Sequence, residues 1–278
     1  MMSAPYKKVL FVLSSHRRLG KTSLKTGYWL EEVAAPYEIL SARGIEVVFA
    51  SPKGGAVPVD PESLLPQNLT FYTENFCLNQ EAQEKLAQTY VLRNLNPEDF
   101  DGVFYAGNYG TFFDLMQNPV SIHFLEVTLD AGKPVAFIGH SIAALKYVQD
   151  RKEVPVLKGR FVTGFRDSEE AGLILARMFA FVPRRILRFW RFVTYLVACL
   201  PSPEYASLLR LNGAIPFLVQ RMLKREGSIF KCKRNWHPFL MEDLTEEGGH
   251  LITGQNPASA SLLGDRLAEI LLSDRHMK

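Results

Sequence analysis

Pro134-Val135-Ala136-Phe137-Ile138-Gly139-His140-Ser141-Ile142-Ala143-Ala144-Leu145 is an apolar run interrupted by Gly139-His140-Ser141. Pro134–Ile138 is short, apolar and bounded by Gly132 and Gly139, which predicts a buried strand. Ser141–Val148 predicts a helix after the turn. A strand that turns sharply into a helix is half of a parallel α/β unit, and the rest of the chain repeats that rhythm. Lys8–Leu13, Ile45–Ala50, Gly102–Ala106, Arg160–Thr163 and Leu251–Thr253 predict further strands. Tyr28–Ala42, Glu81–Leu92, Val120–Leu129 and Ala258–Leu272 predict helices, the first stopped by Gly44. Strands alternating with helices imply a mostly parallel sheet covered on both faces, with sites at the carboxyl ends of its strands.

The 278 residues fit one large domain, or one domain with an insertion. A hydrophobic share of 47% provides a sizeable core, and a net charge of +3 with 22% charged residues gives no case for nucleic acid. Lys7 and Lys8 precede only the short apolar run Val9–Leu13, too short for a secretory core of roughly 7–15 apolar residues. The C-terminal Asp274-Arg275-His276-Met277-Lys278 matches no sorting tag. Cys77, Cys199 and Cys232 are odd in number and widely spaced, which suggests neither a disulfide framework nor a zinc site. A cytoplasmic location is the expectation.

Residues 173–213 break the rhythm. They are rich in Leu and aromatics, carry Arg177, Arg184, Arg185, Arg188, Arg191 and Arg210 against the single acid Glu204, and are punctuated by Pro183, Pro201 and Pro203. The apolar stretch Phe192–Leu200 is far below the ~20 residues of a spanning helix. An inserted helical cap is expected. It leaves the chain directly after Glu170, so a pocket wall is the favoured role. A dimer contact, or a basic face of Arg184, Arg188 and Arg191 lying peripherally on a membrane, are the alternatives.

Several stretches together resemble the ThiJ/PfpI (class I glutamine-amidotransferase-like) superfamily, in its branch of glutathione-independent glyoxalases and heat-shock holding chaperones. They are Thr26-Gly27-Tyr28-Trp29-Leu30-Glu31-Glu32 with Pro36-Tyr37-Glu38, Phe49-Ala50-Ser51-Pro52-Lys53-Gly54-Gly55 with Pro58-Val59-Asp60-Pro61, Gly164-Phe165 with Glu169-Glu170, and Thr253-Gly254-Gln255-Asn256-Pro257-Ala258-Ser259. The resemblance implies a single flavodoxin-like three-layer α/β sandwich over residues 1–278, with the cap inserted in it. It also allows a homodimer. The family's elbow reads Cys-His-Gly-Pro; here Gly139 stands at the cysteine, followed by His140. Glu32 matches the carboxylate that contacts that cysteine, and Glu170 the acid that orients the histidine. The family's Gly-Gly-His-Gly turn, part of its oxyanion pocket, is Gly107-Asn108-Tyr109-Gly110 here.

Glycine offers no nucleophile, which excludes covalent catalysis at position 139. It also adopts strained elbow geometry at little cost, and the space vacated by a thiol is expected to take a water or a substrate group. What remains is an acid–base set of Glu32, His140 and Glu170, with Gly107, Asn108 and Gly139 as backbone donors, Tyr109 as a phenolic donor and Ser141 beside them. Such groups move protons in isomerisation, dehydration, hydration or cyclisation without a covalent intermediate. The expected function is a cysteine-independent acid–base enzyme of lyase or isomerase type, acting on a hydrophobic carbonyl-bearing small molecule, in specialised metabolism. No cofactor and no metal are expected, since hydrogen bonding among Glu32, His140 and Glu170 competes with any metal role. One alternative is a non-catalytic holding chaperone or binding module in which Glu32 and His140 are relics. Another is a serine hydrolase. Gly139-His140-Ser141-Ile142-Ala143 resembles a Gly-x-Ser-x-Gly elbow, with His237 or His250 as base. Against it, Ala143 replaces the last glycine, and Ser141 is placed to cap the following helix.

Overall fold

The computed structural model describes residues 7–178 and 214–273. Its main sheet has seven strands. In chain order these are β1 (Lys8–Val12), β2 (Glu46–Ser51), β3 (Tyr90–Val91), β4 (Gly102–Tyr105), β5 (Val135–Ile138), then β8 (Leu240–Leu244) and β9 (His250–Gly254). Two short strands, β6 (Phe161–Val162) and β7 (Ile229–Phe230), pair with each other outside it. The spatial order is β3-β2-β1-β4-β5-β9-β8. All pairs are parallel except β8 against β9. Strands β1, β4 and β5 are apolar along nearly their whole length because both faces are covered. Leu10, Val12, Tyr105 and Phe137 join one core, while Val9, Phe11, Phe104 and Ile138 join the other.

Helices α1 (Leu30–Ala42) and α8 (Ala260–Ser273) cover the second face, with α2 (Phe71–Leu78) and α3 (Gln80–Ala87) beside them. They pack closely: a Cβ on Gly264 would lie 2.8 Å from the Pro36 Cα. Helix α5 (Pro119–Asp130), the segment Ser141–Tyr147 and helix α7 (Val219–Arg225) cover the first face. A single turn α4 (Thr111–Asp114) follows β4, and α6 (Asp167–Met178) follows β6.

The flavodoxin-like three-layer α/β class expected from the sequence is the one observed. Some elements differ. Ser141–Tyr147 is a 3₁₀ segment, not an α-helix, with Ser141 to Leu145 all buried. The predicted helix Glu81–Leu92 ends at Ala87 and gives way to β3. Arg160–Thr163 contributes to the small sheet instead of the main one. The antiparallel edge β8 had no sequence signal, because Leu240-Met241-Glu242-Asp243-Leu244 is half exposed and lacks an apolar run. Of the expected cap, residues 173–178 continue α6; residues 179–213, with Cys199 and the arginine face, lie outside the described residues. No described helix is long and apolar enough to cross a membrane.

Candidate active site

The carboxyl ends of β1, β4, β5 and β9 meet at one edge, where β5 turns at Gly139. Gly139 has φ +58°, the left-handed region that side chains resist. Its N–H continues the sheet by donating to the Gly254 carbonyl at 2.9 Å, and its carbonyl accepts from the Phe165 N–H at 3.2 Å. The turn is thus held from both sides. A Cβ built there would lie 2.9 Å from Glu32 Oε1. The space expected to be vacant at position 139 is closed by the Glu32 carboxyl.

Glu32 sits in the first turn of α1 and is buried. Its Oε2 has no hydrogen-bond partner. Burial pushes its carboxyl well above the usual carboxylate range; the Gly107 N–H, donating to it, opposes that rise, and the neighbouring Asp60 carboxylate adds to it. A carboxylate at a helix N-terminus gains at most about 1 kcal/mol from the helix dipole at exposed sites, less than desolvation costs here. Burial thus favours the protonated form of the Glu32 carboxyl.

His140 follows the turn and is also buried. Glu170, from the first half of α6, accepts from its Nε2 at 2.7 Å and from the Tyr109 hydroxyl at 2.5 Å. With Glu170 accepting from the Tyr109 hydroxyl at its other oxygen, Nε2 is the donor of this pair. The imidazole is clamped in its plane, stacked on Phe165 at 4.3 Å and tilted against Tyr109 at 4.6 Å. The structure thus brings Glu32, His140 and Glu170 together around Gly139.

Four expected roles need correction. Ser141 is no part of the pocket and no nucleophile. It is fully buried, accepts from the Ile138 N–H at 2.8 Å and donates towards the Tyr105 and Ile138 carbonyls at 2.7 and 2.9 Å. Its hydroxyl ties the ends of β4 and β5 and does not cap the helical segment after it. The hydrolase bases are absent as well: His250 pairs with Glu242 at the opposite end of β9, and His237 is exposed. The Gly139 and Gly107 N–H groups are not free oxyanion donors, being committed to Gly254 and Glu32. Tyr109 serves Glu170 and is buried, so it supports the histidine instead of meeting a substrate.

Glu32 and His140 line a cavity of about 420 Å³, within the range of small-molecule sites. Trp29, Phe165, Leu173 and Trp236 form its apolar surface; Asn108 and Asn256 are among its amide groups. Sequence reasoning missed Asp60, whose carboxylate accepts from Asn108 Nδ2 at 2.8 Å and Thr26 Oγ1 at 3.2 Å. It also missed Trp236. That residue is 47% exposed and holds φ +65°, a conformation costing about 1–3 kcal/mol for a bulky side chain. Glu169 holds it there, accepting from the Trp236 N–H at 2.7 Å, Asn256 Nδ2 at 2.7 Å and Gln255 Nε2 at 3.0 Å. The motif Thr253–Ser259 was the available signal for this clamp. Among the described residues no group of His, Cys, Asp and Glu is placed to hold a metal ion. Cys77 and Cys232 are exposed and outside the site.

No family model matches the chain. It is 29% identical over 168 residues to Glyoxalase 3 of Candida albicans, a match covering 59% of this chain and 70% of that protein. The crystal structure of glyoxalase III from Candida albicans has a TM-score of 0.70 at 22% identity, over 96% of each chain. A ThiJ/PfpI domain protein from Brachyspira murdochii has a TM-score of 0.54 at 12% identity, over 97% of this chain and 99% of that one.

Proposed function

We propose that this chain, a member of the ThiJ/PfpI superfamily from its glyoxalase branch, is a cysteine-independent acid–base enzyme acting on a hydrophobic carbonyl-bearing small molecule. The observation that carries the reading is the pairing of an acid and a base across Gly139 on one cavity. Burial raises the Glu32 carboxyl well above the usual carboxylate range, which suits it to donate a proton, and the bond between His140 Nε2 and Glu170 leaves Nδ1 to act as the base. His140 Nδ1 removes the proton from the carbon beside the carbonyl while Glu32 protonates the carbonyl oxygen, giving an enol. Return of the protons to other positions completes an isomerisation; in a dehydration a hydroxyl on the next carbon leaves as water with the proton taken up by His140, while the enol O–H gives its proton back to Glu32 as the carbonyl re-forms. The relatives named as glyoxalases support a small carbonyl compound as the substrate class. The lyase or isomerase type and a place in specialised metabolism are parts of the same proposal. Leu173, where the insertion begins, lines the cavity, which supports the pocket-wall role for residues 173–213.

The test is direct. Comparison of small molecules in cells with and without the gene identifies the compound pair, and Glu32→Gln and His140→Ala each abolish its conversion by folded protein. Full turnover in both variants overturns the assignment, as does methylglyoxal conversion by the unmodified chain at rates that both variants keep.

One observation favours a second reading. Residues 64–78 expose Leu64, Leu65, Leu69, Phe71 and Leu78, the last two 72% and 84% exposed. Such a strip suits a holding chaperone. Suppression of client aggregation that survives Glu32→Gln and His140→Ala, and is lost in Phe71→Ser with Leu78→Ser, would establish that role.

A further inference from the structure

Residues 222–239 carry Lys224, Arg225, Lys231, Lys233 and Arg234 against the single acid Glu226. The fold gathers this charge around the small sheet. Phe161 of β6 stands opposite Ile229 of β7 in the parallel register, so their side chains share a face. Lys231 continues the ladder, its N–H donating to the Val162 carbonyl at 2.9 Å, and the period of two puts it on that same face. Its ammonium lies 5.7 Å from the centre of the Phe161 ring, and that of Lys224 on α7 lies 5.9 Å from the Phe230 ring. Leu244 borders the sheet: its carbonyl accepts from Arg160, the residue before Phe161, while Asp243 accepts from the Phe161 N–H at 2.7 Å.

The inner face of this sheet serves the core, through buried Val162 and partly buried Phe230. The outer face does not: Phe161, Ile229 and Leu244 are 41%, 40% and 52% exposed. Apolar side chains set among lysines, whose stems lie along rings while their ammonium groups stay in water, make the pattern of a surface that sits at lipid headgroup level. A charged polymer would be held by the cations alone; the exposed apolar trio gains only where acyl chains can cover it. The chain runs on from Lys231 through Cys232, Lys233 and Arg234, all exposed, to Trp236 on the cavity wall. This face therefore adjoins the site, and it needs none of the arginines of residues 173–213.

We infer that the outer β6–β7 face docks on an anionic lipid surface, with Lys224, Lys231 and Lys233 meeting headgroups and Phe161 and Ile229 entering the acyl boundary. Delivery of a hydrophobic substrate from the lipid to the cavity rests on the function proposed above; the docking stands on the face alone. It is measured without turnover, by co-sedimentation of the full chain with phosphatidylcholine vesicles made with and without phosphatidylserine. The chain partitions at least about tenfold more strongly onto the anionic vesicles at low salt, and loses that preference near 1 M salt, where the Debye length is about 3 Å. Lys231→Glu with Lys233→Glu lowers anionic partitioning by about tenfold or more. Phe161→Ser with Ile229→Ser lowers it by about tenfold at unchanged charge; circular dichroism of both variants stays that of the unmodified protein, since the four side chains are exposed. No preference for anionic vesicles, or partitioning that either pair of substitutions leaves unchanged, overturns the inference. So does polyuridylate bound as tightly as the vesicles and equally well by Phe161→Ser with Ile229→Ser, which would make the face a general polyanion site. Glu32→Gln and His140→Ala keep vesicle binding, so failure of the catalytic reading appears as retained turnover, and failure of this one as lost lipid selectivity.

Discussion

Glu169 and Glu32 are the same residue type, both almost wholly removed from water, and the protein treats them in opposite ways. Glu169 is saturated with donors: the Arg166 and Trp236 N–H groups, Gln255 Nε2 and Asn256 Nδ2. It welds the start of α6 to the segments around Trp236 and Asn256. Glu32 receives one N–H, from Gly107, and leaves Oε2 without a partner. Burial without donors makes a carboxyl hold its proton. The difference teaches that donor supply, more than burial, separates a buried carboxylate that glues a fold from one suited to chemistry.

Breaking the chemical side should produce the largest effect. Glu32→Gln and His140→Ala each lower kcat by about 10²–10⁴-fold, the range for loss of a positioned acid or base, while circular dichroism stays unchanged. Breaking the structural side comes next. Glu169→Ala strands several buried donors and should cost about 2–5 kcal/mol, read as a lowered midpoint in urea denaturation. If Glu169→Ala left stability intact while Glu32→Gln unfolded the protein, the two roles would have to be exchanged.

A smaller effect tests the elbow between them. Gly139→Cys adds a side chain at φ +58° against Glu32 Oε1, so it should destabilise by about 1–3 kcal/mol. It should also fail to create efficient methylglyoxal conversion, because Glu32 must move to admit the thiol. The smallest effect sharpens the comparison through pH. The folded pKa of Glu32 is raised, so folding takes up its proton. Its contribution to stability is fully present below the unfolded value near 4.3 and is lost as pH rises through the folded value. Glu32→Gln removes that loss. The variant should gain thermal stability relative to the unmodified protein as pH rises above about 4.3, with little difference below it.

The parallel sheet was legible because its strands are buried on both faces and read as apolar runs between glycines. The site was legible only in part. Glu32, His140 and Glu170 stood out through resemblance and converge as a group. Gly139 showed that a nucleophile is missing, but not that Glu32 fills the space beside it. Ser141 misled because a hydroxyl two residues past a turn looks the same in sequence whether it faces substrate or two backbone carbonyls. Trp236 was illegible, since the strain that marks it arises from Glu169, distant by 67 positions in the chain. Asp60 lay within a quoted motif, yet nothing in that motif showed that the fold places its carboxylate near Glu32.

The central claim is that burial with little donor supply holds the Glu32 carboxyl well above the usual carboxylate range. Titration of the glutamate side-chain carboxyls by carbon-13 NMR, with Glu32→Gln assigning the resonance, tests it most directly. The account predicts one carboxyl, missing in the variant, that titrates well above the other glutamates. A Glu32 resonance that titrates near the ordinary value of about 4.3 would contradict it.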